Sequence, residues 1–318
     1  MPNPTLQAVH VDVPLTIMST AYLQKLDNYI CGKLFPIIPS DKASDLYYTY
    51  TKGDWFRDEA APRGVSSESA GGGYNLGTAS FNCVTYAFHK DIDDKIRANS
   101  DNPLSPDRDT TQFVTQRMIL RQELDMLSKF FTTGKWGTDI TPAHLWSDKA
   151  TSDPIEDIET GKQTILTQTG YLPNKLTLSY DVYRVLKNHP LIVDRMKYTT
   201  GPSEQVKCRK ILAALCELDD VLVAQAVYNS AAESAAVVMG FAAGSGALLT
   251  YSPETPGIMV PSAGYTFMWK GVSQGLGTNI GIKRFRMEWL NSDRVEGEVS
   301  FDNRLIGSDL GYFFNNPV

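Results

Sequence analysis

The sequence lacks the patterns that mark most disulfide-bonded, zinc-binding and secreted proteins. Its four cysteines, Cys31, Cys83, Cys208 and Cys216, are far apart and form no C-x-x-C pair. We therefore expect neither a disulfide framework nor a zinc site, and we expect reduced thiols in a reducing compartment. The four histidines show no H-x-x-H or H-E-x-x-H spacing. Residues 1–5 contain no basic stretch followed by an apolar run, so no signal peptide is predicted.

Long apolar runs and positive charge are also scarce. Residues 235–249 are uncharged and Glu233 lies at their edge, but the run is shorter than the roughly 20 apolar residues that a transmembrane helix needs. The formal net charge of −6 argues against tight nucleic-acid binding, which requires clustered Lys and Arg. The 318 residues, 42% of them hydrophobic, are sufficient for a large core and predict about two domains.

Motifs for catalysis are weak. Gly271, Ser273 and Gly275 match the G-x-S-x-G nucleophile pattern, but all four histidines precede Ser273, whereas the catalytic His follows the nucleophile in that hydrolase fold. The glycine-rich residues 240–246 lack the Lys-Ser/Thr of a phosphate-binding loop. We interpret both segments as tight turns, and we keep a serine hydrolase using Ser273 as a minor alternative.

Four short clusters of like charge have two interpretations. Such clusters can hold a cation, or contact DNA or a neighbouring chain. They lack the spacing of a calcium loop, so a solvated face is the preferred interpretation, and no catalytic residue, cofactor or metal ligand is predicted. The acidic clusters are Asp91, Asp93 and Asp94, and Glu217, Asp219 and Asp220; the basic clusters are Lys207, Arg209 and Lys210, and Lys283, Arg284 and Arg286.

Two strand-like segments flank a long polar stretch. Residues 46–51 and 81–88 are rich in Tyr, Thr, Phe and Val, as strands are, and the residues between them are polar and include Gly71, Gly72 and Gly73. Unstructured loops of this length are uncommon in compact domains and are usually functional or disordered. We predict a protruding β-hairpin arm, which needs a partner to lie on. A mobile surface loop is the alternative.

The longest helix is predicted after Ser105 and Pro106 and before Gly134, with apolar residues at spacings of three and four. Its predicted apolar stripe is Phe113, Gln116, Leu120, Leu124, Leu127 and Phe131, and charged residues are expected on its other faces: Arg117, Arg121, Glu123, Asp125 and Lys129. Before it, residues 1–15 are predicted to form an extended arm, because they contain three prolines, and a helix is predicted from Ser19 or Thr20 to Gly32.

The remaining pattern completes an α+β chain without an internal repeat. From residue 235 to about 280, Gly, Ala, Ser and Pro indicate strands and tight turns. Apolar residues alternate again in the C-terminal part, which predicts a hairpin and a final strand near 310–314. The other predicted elements are a helix over 154–168 that Gly170 ends, a strand over 175–179, a helix over 180–188 and a helical region over 203–230.

This order of parts resembles the Hong Kong-type major capsid protein of tailed bacteriophages. The sequence of residues 170–179, GYLPNKLTLS, and of residues 182–190, VYRVLKNHP, is similar to the family's segment after its second peripheral helix. The resemblance implies an icosahedral shell that encloses double-stranded DNA. The acidic chain is expected to bind that DNA only weakly and without specificity. It also implies five segments: 1–45, arm and short helix; 46–90, extended loop; 91–200, peripheral domain with the spine helix; 201–279, axial domain; and 280–318, return to the peripheral domain.

In such a shell, residues 46–90 lie across the neighbouring subunit, and charged residues near the loop tip supply register. The candidate inter-subunit residues are Lys52, Arg57, Asp58, Glu59 and Arg63. Some relatives cross-link a loop Lys to a neighbour's Asn, but Lys52 lies near the strand base, so no cross-link is expected here.

The implied partners are copies of this chain in hexamers and pentamers, a separate scaffold protein, a portal and a decoration protein, with no membrane. The implied location is the virion capsid, assembled in the cytoplasm of a bacterial host. An encapsulin-like protein compartment is the alternative from the same fold.

Overall fold

The structure, a computed structural model, describes residues 24–100, 105–199, 208–257, 259–273 and 280–318, without the side chains of residues 196–199 and 273. Mixed helices and strands alternate along these residues, as the α+β prediction requires. The strands are β1 Ile37–Ser40, β2 Ser44–Tyr50, β3 Leu76–Asn82, β4 Val84–Asp93, β5 Thr138–Ile140, β6 Lys175–Ser179, β7 Asp220–Ala224, β8 Val227–Asn229, β9 Met239–Phe241, β10 Gly246–Thr250, β11 Gly264–Trp269, β12 Gly281–Met287, β13 Ser292–Leu305 and β14 Gly311–Asn315.

The helices include one that is much longer than the others. The α-helices are α1 Lys52–Trp55, α2 Asp94–Ala98, α3 Pro106–Phe130, α4 Pro154–Thr169, α5 Tyr180–Leu186, α6 Pro190–Thr199, α7 Cys208–Leu215 and α8 Lys270–Ser273. Short 3-10 turns lie at Leu26–Asn28, Glu288–Leu290 and Ser308–Leu310.

The first sheet is organised around β13, which is 14 residues long. Strand β4 pairs antiparallel along one edge of β13. Along the other edge, β12 pairs with the first half and β11 with the second half, and β1 adds parallel to β11. The predicted C-terminal hairpin is therefore confirmed as β12 and β13. The long helix packs against β13, with Met118 in contact with the cluster of Val299 and Phe301.

The second sheet has the order β5-β14-β10-β6-β7. Strands β14, β10 and β6 pair antiparallel, while β5 and β7 add parallel at the two edges. The sheet joins strands from the segments predicted as peripheral and axial, and the five predicted domain bounds remain a prediction. Helix α4 covers this sheet, with Ile158 and Ile165 in the same core as Leu176 and Leu249.

Local start and stop signals placed several elements accurately. Strand β6 covers the predicted residues, and α4 begins at Pro154, where the Asp153 carboxylate accepts hydrogen bonds from the Ile155 and Glu156 amides. Gly170 ends α4 with a left-handed φ of 74°, which glycine adopts without steric cost. The predicted final strand is β14.

The long helix is confirmed as α3, but the assignment of its faces was partly wrong. Its fully buried apolar residues are Val114, Met118, Met126, Leu127 and Phe130, whereas most of the predicted stripe is half-buried. Glu123 and Asp125, expected on an outer face, are buried. The reason is that the first sheet and residues 30–36 cover different faces of the helix, and both buried carboxylates accept hydrogen bonds from those neighbours.

Two other predictions are corrected. The helical region predicted over 203–230 contains only α7 among the described residues, because Val221, Leu222 and Val223 form the buried strand β7 beside β6. The strand predicted over 81–88 divides at Cys83, whose amide donates to the Ala43 carbonyl. As a result, β3 pairs with β2 while β4 pairs with β13.

The predicted N-terminal arm lies outside the described residues, as does the start of the helix predicted from Ser19 or Thr20. The described end of that helix is a 3-10 turn at Leu26–Asn28, which differs from the prediction. After the turn, Tyr29 and Ile30 are buried against α3, since their segment continues into the core around Leu34 and Phe35.

Candidate functional site

The predicted arm is an antiparallel hairpin of β2 and β3, in register from Ser44 opposite Asn82 to Tyr50 opposite Leu76. Residues directly opposite one another share a face of a sheet. One face, which we call the outer face, therefore carries Leu46, Tyr48, Tyr50 and Leu76. All four side chains are exposed, Leu46 by 63% and Tyr48 by 68%. Such a contiguous apolar surface is typical of a protein–protein interface.

The opposite face of the hairpin packs on its own subunit. The Tyr47 and Phe81 rings stack on Phe267 of β11, with centroid distances of 5.6 and 4.2 Å. Cys83 and Tyr265 complete this small core. Because the inner face is anchored in this way, the outer face is held toward solvent and is available to another chain.

The hairpin tip has its own local structure. Helix α1 follows β2 directly, and Trp55 packs against Tyr50 and Tyr74 at centroid distances of 6.0 and 5.4 Å. The Asp54 carboxylate accepts hydrogen bonds from the backbone amide and the side-chain amide of Asn75, at 2.9 and 3.0 Å. These contacts join the two ends of the loop, so the tip is closed at its base.

The structure places the five candidate inter-subunit residues at this tip and shows their contacts within the chain. Arg57 pairs with Glu59 at 3.0 Å and with Asp54 at 3.7 Å. The Arg63 guanidinium donates to the Ser67 carbonyl at 2.6 Å. Lys52 pairs with Asp309, and Asp58 is exposed. Their contact with a neighbouring subunit stays a prediction.

Sequence reasoning named the charged residues of the arm and missed its apolar ones. Leu46, Tyr48 and Tyr50 alternate along β2, which is the signal of a strand face, but only a register with β3 shows that Leu76 joins them. Trp55 and Phe56 are also exposed, by 53% and 64%. The exposed surface of the arm therefore includes apolar side chains on β2, β3 and α1, besides the charged residues that were predicted.

Residues of one acidic cluster, Asp91 and Asp94, and of one basic cluster, Arg284 and Arg286, form ion pairs where the first sheet meets α2 and α3. Arg286 pairs with Asp94 at 2.6 Å, and Arg294 pairs with Asp91 at 2.7 Å. Arg284 and Arg97 both bind Asp293, at 2.6 and 2.7 Å. These hydrogen bonds lower the pKa of Asp293 to about 2. Ion pairs within the chain therefore account for the charges of Asp91, Asp94, Arg284 and Arg286.

Glu123 and His189 are ionisable residues that are fully buried away from the arm. The Glu123 carboxylate accepts hydrogen bonds from the Ile30 and Cys31 amides, at 3.0 and 2.8 Å, and its burial raises its pKa. The His189 Nε2 atom lies 3.1 Å from the Ser152 hydroxyl, and burial lowers the pKa of this imidazole. Neither residue opens onto a cleft, since both side chains are fully buried.

The remaining candidates for chemistry gain no support from the geometry. Ser273 ends α8, and its side chain, with Gln274 and Gly275, lies outside the described residues. No group of three metal-ligating side chains occurs in the part of the chain that the structure describes. Within the same residues, no helix has the length and hydropathy to span a membrane. A cavity of about 30 Å³ lies between α3 and β11, lined in part by Gln122, Thr266 and Asn303.

Comparison with known proteins places this fold. The chain is 28% identical over 173 residues to the major capsid protein of Burkholderia phage BcepMu, a match that covers 52% of this chain and 51% of that protein. The chain thus spans about half the length of the curated relative it matches. No family model matches the sequence.

Solved structures resemble the chain over nearly its full length. A phage-related protein from Bordetella bronchiseptica RB50 has a TM-score of 0.66 at 22% identity, over 92% of this chain and 94% of its own. The mature capsid of bacteriophage PhiM1 gives a TM-score of 0.62 at 9% identity, over 96% and 90%. The SrpI encapsulin from Synechococcus elongatus PCC 7942 gives 0.57 at 10% identity, over 96% and 95%.

The fold is therefore that of the shell-forming proteins of phage capsids and encapsulins. Among these, phage capsid proteins supply the similarity in sequence as well as in structure. The predicted fold class, α+β with the fold of phage capsid proteins, is confirmed.

Proposed function

We propose that this chain is a major capsid protein, which assembles with copies of itself into the icosahedral shell around the double-stranded DNA of a tailed phage. The observation that carries the proposal is the fold shared with phage capsid proteins over more than nine-tenths of the chain. The sequence similarity to a major capsid protein supports it independently. The exposed outer face of the β2–β3 hairpin supplies a surface that needs a partner.

The hairpin suits a repeated contact between identical subunits. Its apolar outer face is available, and its tip carries both signs of charge at Arg57, Asp58, Glu59 and Arg63, while Lys52, the fifth candidate, pairs with Asp309 of its own subunit. In a closed symmetric assembly, each subunit gives this contact to one neighbour and receives it from another. Residues 46–90 are then the extended loop that lies across the neighbouring subunit. The apolar face supplies affinity, and the charged residues supply register.

The other segments take the roles that the resemblance implies. We assign residues 1–45 to the arm and short helix, 91–200 to the peripheral domain with the α3 spine, 201–279 to the axial domain and 280–318 to the return to the peripheral domain. The proposed partners besides identical subunits are a scaffold protein, a portal and a decoration protein. The net charge of −6 supports weak contact with the packaged DNA, and we place assembly in the bacterial host cytoplasm.

Deleting the hairpin tip tests this function. The parent chain, expressed with its neighbouring phage genes, is expected to give closed particles in electron microscopy. Removing residues 57–77 is expected to abolish closure and to leave a folded subunit, because the inner face around Phe267 is retained. Closed particles from the deletion variant would show that the tip is not an inter-subunit element.

An encapsulin-like compartment is the second candidate, because the SrpI encapsulin shares this fold. The two functions differ in what the particle contains. Purified particles should protect DNA from nuclease if the shell is a capsid, and should retain a protein cargo without DNA if it is a compartment. The similarity is to shell-forming proteins in both cases, so we propose no catalytic role for Ser273.

A further inference from the structure

The tip of the hairpin is tied to the body of its own subunit by an ion pair at Lys52, the first residue of α1. The Lys52 ammonium lies 2.5 Å from the Asp309 carboxylate, although the two residues are 257 positions apart in the sequence. Asp309 belongs to the 3-10 turn between β13 and β14, on the body of the subunit. Both side chains are nearly half exposed, at 45% and 40%, so solvent reaches the pair.

A second contact lies one turn further along the loop. The Phe56 ring lies over Gly170, the residue that ends α4, and a Cβ atom at that position would be 3.5 Å from the ring. Phe56 nevertheless remains 64% exposed. This contact, like the ion pair, covers little surface.

Both contacts are weak, and the tip that they hold is closed on itself. Exposed ion pairs contribute little to stability, and a mostly exposed ring gains little from burial. The Asp54–Asn75 hydrogen bonds and the packing of Trp55 on Tyr74 connect the two ends of the tip loop. The tip can therefore leave the body of its own subunit as a unit, at low cost in free energy.

We propose that the Lys52–Asp309 pair and the Phe56–Gly170 contact form a latch, which holds the hairpin tip on its own subunit before assembly. The latch opens when a neighbouring copy of the chain takes the outer face of the hairpin. The proposal rests on the proposed function, since the partner that opens the latch is another subunit. Its consequence is that an unassembled subunit presents the arm less readily, which delays nucleation of a shell.

Neutralising Asp309 tests the latch. The Asp309→Asn variant is expected to lower the critical concentration for particle assembly by about two- to fivefold, the range that surface ion-pair energies allow. Amide hydrogen exchange of the unassembled variant should rise in residues 51–57 and stay unchanged in β13. Asp27→Asn is the matched control. It removes one negative charge, as Asp309→Asn does, but breaks an exposed ion pair with Lys33 that lies away from the hairpin tip.

Reversing both charges distinguishes a contact within one subunit from one between subunits. Lys52→Asp and Asp309→Lys should each open the latch, and the double variant should restore the parental critical concentration. A mixture of the two single variants restores the pair only between different chains. If the latch is within one subunit, the mixture should keep the low critical concentration of the single variants.

The outcomes separate the latch from the function on which it rests. Parent particles with an unchanged critical concentration for Asp309→Asn, or restoration by the mixture, would overturn the latch and leave the capsid function in place. Unchanged hydrogen exchange in residues 51–57 would also overturn it. If the parent forms no particles under any condition, the proposed function itself is wrong.

Discussion

At the scale of single residues, the buried Glu123 of α3 binds the backbone of residues 30 and 31. Its carboxylate accepts the Ile30 and Cys31 amides, so it connects α3 to a segment more than 90 positions away. Among the described residues, no other group accepts a hydrogen bond from these two amides, whose segment lies in an irregular turn. The hydrogen bonds favour the ionised carboxylate, but burial has the larger effect and raises its pKa.

Replacing Glu123 therefore has two separable effects. Glu123→Ala removes the acceptor of two amides and is expected to lower the free energy of unfolding by about 2–4 kcal/mol. Glu123→Gln keeps an acceptor and is expected to lower it less. Denaturant unfolding of both variants measures the difference. Equal stability of the alanine variant and the parent would contradict the role of these hydrogen bonds.

The raised pKa of Glu123 also predicts a pH dependence. Its folded-state pKa lies above the ordinary value of 4.5, so its contribution to stability is fully present below pH 4.5. That contribution is lost as pH rises through the folded-state pKa. Above pH 4.5, the parent should lose stability relative to Glu123→Gln as pH increases. Parallel pH profiles of the two proteins would show that the carboxylate is not penalised by burial.

His189 has the opposite dependence. Burial lowers its pKa below the ordinary 6.5, and its Nδ1 atom has no hydrogen-bond partner among the described residues. Its contribution is present above pH 6.5 and is lost as pH falls, because the unfolded chain then binds the proton more readily. His189→Gln should reduce the loss of stability below pH 6.5, measured by thermal unfolding.

At the scale of elements, the two faces of the β2–β3 hairpin have different tasks. The inner face, with Tyr47 and Phe81 on Phe267, belongs to the core of the subunit. The outer face, with Leu46 and Tyr48, has no cover among the described residues and is available to a neighbour. A substitution on one face should therefore affect stability, and on the other assembly.

Paired substitutions test this division. Tyr48→Ser on the outer face is expected to impair particle formation and to leave the thermal unfolding of the subunit almost unchanged. Tyr47→Ser on the inner face is expected to lower the free energy of unfolding by about 1–3 kcal/mol, since it removes a stacked, half-buried ring. Sedimentation and thermal unfolding measure both. A destabilised Tyr48→Ser subunit would contradict the assignment of the faces.

Elements with local signals were predictable from the sequence, and those decided by distant partners were not. The ends of α4 are marked locally, by Asp153 and Pro154 at its start and by Gly170 directly after its last residue. Val221, Leu222 and Val223 form a short apolar run that suits a helix or a buried strand, and only its pairing with β6 decides. The charges of the arm were visible in the sequence. The contacts of Lys52 with Asp309 and of Glu123 with Cys31 join residues far apart, which no local pattern shows.

At the scale of the whole molecule, the two sheets and α3 form a body that leaves the apolar outer face of the hairpin exposed. The first sheet carries α3 and the inner face of the hairpin, and the second sheet carries α4 and the largest buried core. The proposed function assigns a neighbouring chain to the exposed outer face of the hairpin. The proposed self-assembly therefore uses a surface that the fold leaves exposed.

The most direct test of the capsid function is the size of the assembly that the purified chain forms. Light scattering and negative-stain electron microscopy, on the chain alone and with its neighbouring phage genes, measure it. The account predicts hollow particles or rings far larger than the 35.2 kDa subunit. A stable monomer of 35.2 kDa under every condition would contradict it.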